Sequence, residues 1–172
     1  MEPYTELRRR LATTIPADRL LTDPLSTLAL GTDASFYRLI PRLVVRLESE
    51  RETLELLRQA RQLRLPLTFR AAGTSLSGQA VSDSILALLS PPAWNAIRVS
   101  DDAALITLGP AVVGAAANRV LAPHDRKIGP DPASINAAMI GGIVANNASG
   151  MCCGTAQNSY RTLAGLRIIL AD

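Results

Sequence analysis

Hydrophobic and polar positions along the chain follow two periods, and the switches between them mark out its elements. "RLVVRL" (Arg42–Leu47) is a short β-branched run and predicts a strand. Just beyond it Ser49 stands three residues before Glu52, the spacing of a helix capping box. Leu54, Leu57 and Ala60, with Leu56 and Leu63, then recur at helical spacing, so an amphipathic helix runs to about Leu63 and Pro66 ends that element. "LTFRA" predicts a second strand and "SILALL" (Ser84–Leu89) a third. Strand, helix, strand, loop and strand in so short a span make a small α/β lobe.

"SPPAW" (Ser90–Trp94) marks a junction. After it, "AIRV", an Asp101-Asp102 turn and "ALITLGP" predict a β-hairpin. "VVGAAANRVLA" (Val112–Ala122) has helical composition and is stopped by Pro123. Residues 1–40, broken by Pro16 and Pro24, read as a helical or irregular arm. "TLAGLRIILAD" reads as a strand with no closing turn or helix behind it, which is expected of a piece of a longer protein. The expected organisation is therefore an arm over 1–40, a first lobe over 41–90 and a second lobe over 91–172 that is truncated at its C-terminus. The fold class is α+β, with two small α/β lobes.

Apolar residues make up 48% of the 172, but aromatics only 3%, so the core must be built of Leu, Ile, Val and Ala. The charge of +3, from 18 Lys+Arg against 15 Asp+Glu, comes with no basic stripe interleaved with aromatics, which argues against a nucleic-acid partner. No apolar run approaches the ~18 residues of a membrane span. The N-terminus lacks the apolar stretch of a signal peptide, so the cytoplasm is the default and peripheral membrane association stays open. A bridge between the adjacent Cys152 and Cys153 would be strained. With His124 as the only histidine they make no zinc site, so both are expected to be free, small buried fillers.

The chemistry is concentrated in two tracts of small residues. "RAAGTSLSGQAVSDS" (Arg70–Ser84) puts two glycines among hydroxyl side chains between two strands. Glycine allows positive φ, and successive amides in such a turn can form an anion-binding nest. Gly73-Thr74-Ser75-Leu76-Ser77-Gly78 fits a pyrophosphate cradle, and it equally fits an ordinary polar turn. A Walker loop is ruled out because Gln79-Ala80 stand where Lys-Ser/Thr should be, and no Rossmann fingerprint opens a helix. The second tract, Lys127–Thr162, is rich in Gly, Ala, Asn and Ser and poor in bulky or ionisable side chains, as expected where backbone presses close to something. Two such tracts suggest two walls of one site for a ligand longer than a phosphate.

"FRAAGTSLSGQAV" and "KIGPDPASINAAMIGGIVANNASGMCCGTAQNSYRTLAGLRIILAD" together resemble the FAD-binding domain of the FAD-linked oxidases, the vanillyl-alcohol oxidase or PCMH type. The resemblance is closest to the bacterial D-lactate and D-2-hydroxyglutarate dehydrogenases. "YRLIPRLVVRLES" fits the same group, so that residues 31–172 are covered. It implies a flavin between the two lobes. It also implies a pyrophosphate loop over residues 70–79, with Arg70, Ala72, Gly73, Thr74, Ser75 and Leu76 at the phosphates and Gly78 and Gln79 continuing that wall. Pro130 and Asp131, with Pro132, match a loop beside the flavin ring, followed by the Ile140-Gly141-Gly142 turn. Ala145, Asn146, Ser149 and Gly150 match the stretch along the ring and ribityl chain, and Gly154 and Thr155 close it.

Thr74 stands where some relatives carry a flavin-tethering His, so the FAD is expected to be non-covalent. The resemblance implies oxidation of a D-2-hydroxy acid (D-lactate or D-2-hydroxyglutarate) by hydride transfer to flavin N5. The catalytic base, the substrate domain and any iron–sulfur cluster would belong to the missing C-terminal part, and the electron acceptor is left unnamed. The chain alone is expected to be inactive and to self-associate through its terminal strand. Two other readings stay open: a non-catalytic FAD- or nucleotide-binding module, and a ligand-free structural domain. Among single residues, Asp131 has its direction preset by two prolines and either caps a turn or serves the site. His124 reads as surface C-cap chemistry and Trp94 as a plug between the lobes. Tyr160-Arg161 either reach the flavin or end a strand.

Overall fold

The computed structural model describes residues 2–171. The fold is α+β, in two compact units: Met1–Ser90 with Ile169–Asp172, and Pro91–Ile168. Among the described residues, the first unit carries a four-stranded sheet of β1 (Leu20–Leu21), β2 (Leu43–Leu47), β3 (Leu67–Arg70) and β4 (Ile85–Leu89), in the order β1-β2-β4-β3. β4 lies parallel between its neighbours, with Ile85 opposite both Leu43 and Leu67. A parallel strand buried on both faces reads as a continuous apolar run, and Ile85, Leu86 and Ala87 are fully buried. β1 joins the outer edge of β2 antiparallel.

Helix α1 (Pro3–Leu11) precedes β1, α2 (Pro24–Ala29) follows it, and α3 (Glu50–Leu63) connects β2 to β3. Leu56 and Ala60 of α3 pack with Leu43, Val45, Leu47, Ile85 and Ala87. Leu7, Leu11, Ile15 and Leu20 belong to the same cluster, so residues expected to form an arm fill the core. The reason is helical spacing: Tyr4, Leu7 and Leu11 share one face of α1.

Ser49 caps α3, its hydroxyl accepting from the Glu52 amide at 3.2 Å. Glu52 turns back one residue beyond a capping box and accepts from the Glu48 amide at 2.7 Å. Its two oxygens also take the Arg19 guanidinium at 2.7 and 2.9 Å. Burial would raise the Glu52 pKa, but the bonds from Arg19 and Glu48 and the Arg19 charge outweigh it and hold the carboxyl below its ordinary value.

In the second unit β5 (Ile97–Val99) and β6 (Ile106–Leu108) form an antiparallel hairpin. Asp102 and Ser100 hold its turn through the amides of Ala104 and Leu105. Helix α4 (Gly114–Leu121) packs Ala117 and Leu121 with Val112 and Ile128, flanked by Ile97, Val99, Ile106 and Leu108 of the hairpin. Within the small-residue tract the chain forms α5 (Ile140–Ala145) and α6 (Ser159–Thr162). No described helix is long and apolar enough to cross a membrane.

The strand expected over the last residues is not formed. Residues 163–171 carry no secondary structure, and Asp172 lies outside the described residues. A strand exists only through its hydrogen-bonded partner, and among the described residues neither sheet pairs with this segment. Leu166, Ile168 and Leu170 are exposed.

The buried Arg19–Glu52 pair predicts a measurable dependence. Arg19→Ala leaves a buried carboxylate unpaired and should lower the unfolding free energy by about 3 kcal/mol near neutral pH. Because the folded pKa of Glu52 is depressed, its contribution is complete above the ordinary carboxylate value and is lost as pH falls through the folded one. Urea unfolding across the acid range should therefore show that loss in the parent chain and lack it in Glu52→Gln.

Candidate functional site

β3 and β4 are parallel neighbours, so the link between them must run back along the strand direction. Residues 71–84 do this without a helix, and their backbone groups must find partners one by one. Gly73 and Gly78 take the left-handed conformation, at φ +72° and +70°. Neither has room for a side chain: a Cβ at Gly73 would sit 2.7 Å from Arg70 Nε, and one at Gly78 would sit 2.8 Å from the Tyr37 ring. The Ser75 hydroxyl accepts from the amides of Ser77 and Gln79, at 3.1 and 3.2 Å. The Ala80 amide donates to Asp33 Oδ2 at 3.3 Å. Among the described residues, the amides of Gly73, Thr74, Ser75, Leu76 and Gly78 donate to nothing.

Arg70 ends β3, and its guanidinium lies against Gly73. Its Nη1 reaches the carbonyls of Leu30 at 3.2 Å, Thr32 at 2.6 Å and Ala80 at 3.4 Å. Burial lowers its pKa against the opposing charge of Asp33, yet an arginine stays protonated in proteins. Asp33 Oδ1 accepts from the Ser35 amide at 2.9 Å and from its hydroxyl. Burial would raise the Asp33 pKa, but Ser35, the Ala80 amide and the Arg70 charge together lower it. The Ala34 amide donates to the Gly73 carbonyl at 2.9 Å. Residues 30–35 are thus laced to the loop, a role the pattern-based reading missed. The signal was the Asp-x-Ser spacing of an Asx turn. Ala72 is half-buried, while Leu76 and Gln79 are exposed.

The second tract is organised differently. Val113 and Met139 form an antiparallel bridge, the Ile140 amide donates to the Val112 carbonyl, and the Gly141 amide donates to that of Pro110, each at 2.8 Å. A Cβ on Gly141 would touch Pro110, and one on Gly150 would overlap the Asp131 carbonyl. The close approach expected along this tract is, at these two glycines, to the chain's own backbone. Asp131 is thereby brought against Gly150. Asp131 also lies 3.7 Å from the Lys127 ammonium.

Asn146 donates to the Gly142 carbonyl at 3.0 Å, and Asn147, at φ +45°, accepts from the Tyr160 amide. The buried Ser159 hydroxyl lies 3.0 and 2.9 Å from the carbonyls of Ile143 and Ala148. Asn147 and Ser159 hold the tract's shape, and the pattern-based reading named neither. Ala145, Asn146, Ser149, Gly154 and Thr155 are exposed.

Two single-residue expectations change, those for Cys152 and for Tyr160-Arg161. Cys153 is buried as expected, but Cys152 is exposed, so only one of the pair is a filler. Tyr160 and Arg161 lie in α6 and end no strand. Trp94 lies in the second unit, where its carbonyl accepts from the Ala111 amide at 2.9 Å. His124 is exposed in a 3-10 turn that ends at a left-handed Asp125.

Residues 41–172 match the family model described as the FAD binding domain. The chain is 35% identical over 120 residues to the glycolate oxidase subunit GlcD of Escherichia coli, which covers 69% of this chain and 24% of that protein. It is 27% identical over 146 residues to the D-2-hydroxyglutarate dehydrogenase of the same species, covering 83% of this chain and 14% of that one. The chain thus spans a quarter or less of the length of these curated relatives. Among solved structures, alkyldihydroxyacetonephosphate synthase superposes with a TM-score of 0.73 at 19% identity, over 89% of this chain and 32% of that one. At that identity the likeness concerns the fold.

The glycines of the second tract can be ranked by substitution. Gly150→Ala places a methyl against peptide backbone that cannot swing away and should cost about 3 kcal/mol or more. Gly154→Ala meets open space and bears only its left-handed φ, about 1–2 kcal/mol. Thermal unfolding of the two variants should show the larger drop for Gly150→Ala.

Proposed function

The chain belongs to the FAD binding domain family, and we propose that it is the FAD-binding portion of a flavin-dependent dehydrogenase acting on a D-2-hydroxy acid. The observation that carries this reading is the row of undonated amides at Gly73, Thr74, Ser75, Leu76 and Gly78, with the Arg70 guanidinium against Gly73. Amides around left-handed glycines make an anion-binding nest, and the arginine adds a permanent positive charge. Such a donor set suits the diphosphate of a dinucleotide. The substrate class follows the names of the relatives, glycolate oxidase subunit and D-2-hydroxyglutarate dehydrogenase, both of which refer to 2-hydroxy acids. D-lactate and D-2-hydroxyglutarate are the substrates we would try first.

When bound, FAD supplies the acceptor for the hydride that leaves the hydroxy-acid carbon. The chain's own part is to bind and orient. The backbone amides of Gly73, Thr74, Ser75, Leu76 and Gly78 hold the diphosphate, with Ala72 and Gln79 bordering them. Pro130, Asp131 and the exposed Ala145, Asn146 and Ser149 are assigned to the flavin side, with Ile140, Gly141, Gly142 and Gly150 shaping the backbone there. Gly154 and Thr155 close that stretch. Thr74 offers no imidazole, so this position forms no histidyl bond to the flavin.

The test uses the protein expressed with its natural flanking sequence. It should purify yellow, release its flavin into the supernatant on acid precipitation, and reduce a dye acceptor with D-lactate or D-2-hydroxyglutarate. Gly73→Val should keep the circular dichroism of the parent and lose most of the flavin. A colourless parent protein sinks the cofactor reading, and colour held in the acid pellet sinks the non-covalent one. Flavin without turnover on any 2-hydroxy acid leaves a non-catalytic FAD module.

A further inference from the structure

We propose that Asp33 is a positioning residue for the 73–78 amide row: it holds the Ala80 side of the loop so that those amides stay free for a diphosphate. The inference rests on the FAD reading above and extends it to a residue outside the glycine-rich loop. Arg70 and Ala80 flank the 73–78 row, and Asp33 bonds to Ala80. Its Oδ2 takes the Ala80 amide at 3.3 Å, while the Arg70 guanidinium is held by the carbonyls of Leu30 and Thr32 at 3.2 and 2.6 Å. That guanidinium in turn reaches the Ala80 carbonyl at 3.4 Å. Both polar groups of Ala80 are therefore tied, the amide to Asp33 and the carbonyl to Arg70. The other oxygen of Asp33, Oδ1, is filled by the Ser35 amide and hydroxyl, so the carboxylate cannot rotate without losing bonds. Next to it, the Ala34 amide fixes the Gly73 carbonyl at the loop's near end. Pinned at both ends from outside, the loop does not close its middle amides onto its own carbonyls.

The sign of the effect separates positioning from plain electrostatics. Asp33 is negative, so as a simple charge it opposes a bound diphosphate. Its removal should then tighten binding. As a positioning group its loss should weaken binding instead. In Asp33→Asn the bond to Ala80 is lost if the amide nitrogen takes the place of Oδ2, because two donors then face each other, and the counter-charge to Arg70 is lost in any orientation.

The experiment titrates apoprotein, expressed with its natural flanking sequence, with FAD and with riboflavin, which has the ring but no diphosphate. For Asp33→Asn and Asp33→Ala, FAD affinity should fall about 10- to 100-fold, the effect of losing a hydrogen bond to a charged group, while riboflavin affinity stays that of the parent. Ser35→Ala, which loosens the carboxylate and keeps its charge, should show a smaller fall with the same split, and it decides the matter if the Asp33 variants do not fold. Unchanged or tighter FAD binding overturns the proposal, and so does an equal loss for riboflavin, which marks Asp33 as merely structural. A parent protein that binds no FAD overturns the cofactor reading itself, an outcome distinct from either.

Discussion

Two parallel strands lying side by side cannot be joined by a tight turn. β3 and β4 are such a pair, and their link of residues 71–84 returns without a helix to satisfy its backbone. Each amide and carbonyl there needs an outside partner or must be left for solvent or a ligand. Asp33, Ala34, Arg70 and Ser75 partner part of the loop. What they leave undonated is the row of amides on which the functional proposal rests. The site is thus a by-product of topology, refined by a few polar side chains.

The second unit meets the same demand by another route. Its small residues let backbone lie on backbone: Gly141 on Pro110, Gly150 on Asp131, and Gly129 against Gln157 and Thr162. Side chains then tie the ends, with Ser159 reaching two carbonyls and Asn147 taking the Tyr160 amide. This unit therefore needs few bulky residues to keep its shape. Its short apolar cluster around Val112, Ala117, Leu121 and Ile128 is enough to seat α4. A glycine that looks like room for a ligand can instead be room for a neighbouring peptide, and a Cβ placed on the backbone distinguishes the two.

Arg70 illustrates how position changes a residue's meaning. In the family-like motif it stands in line with the phosphate-binding residues. In the fold, Nη1 is turned to the carbonyls of Leu30, Thr32 and Ala80, and in the proposed site its contribution to the diphosphate is its charge and its hold on the backbone. In the proposed site the guanidinium organises the loop through these carbonyls, in company with Asp33 on the Ala80 amide.

The sequence by itself determined the local elements of the first unit. β2 and β4 were legible as apolar runs, as burial on both faces demands, and α3 by the helical spacing that burial on one face demands, whereas the edge strand β3 was legible only as a short run between Pro66 and the glycine-rich loop. The hairpin, α4 and the two small-residue tracts were legible for the same kind of reason, since turn chemistry and glycine content are local. Tertiary structure alone decided where partners lie far apart in the chain. It brought Leu7, Leu11 and Ile15 into the core, set Asp33 against Ala80, laid Gly150 on Asp131, and left 163–171 without a strand to pair with. Periodicity reports which face a residue presents, but not which distant group will meet it, because that pairing is settled only when strands take their neighbours.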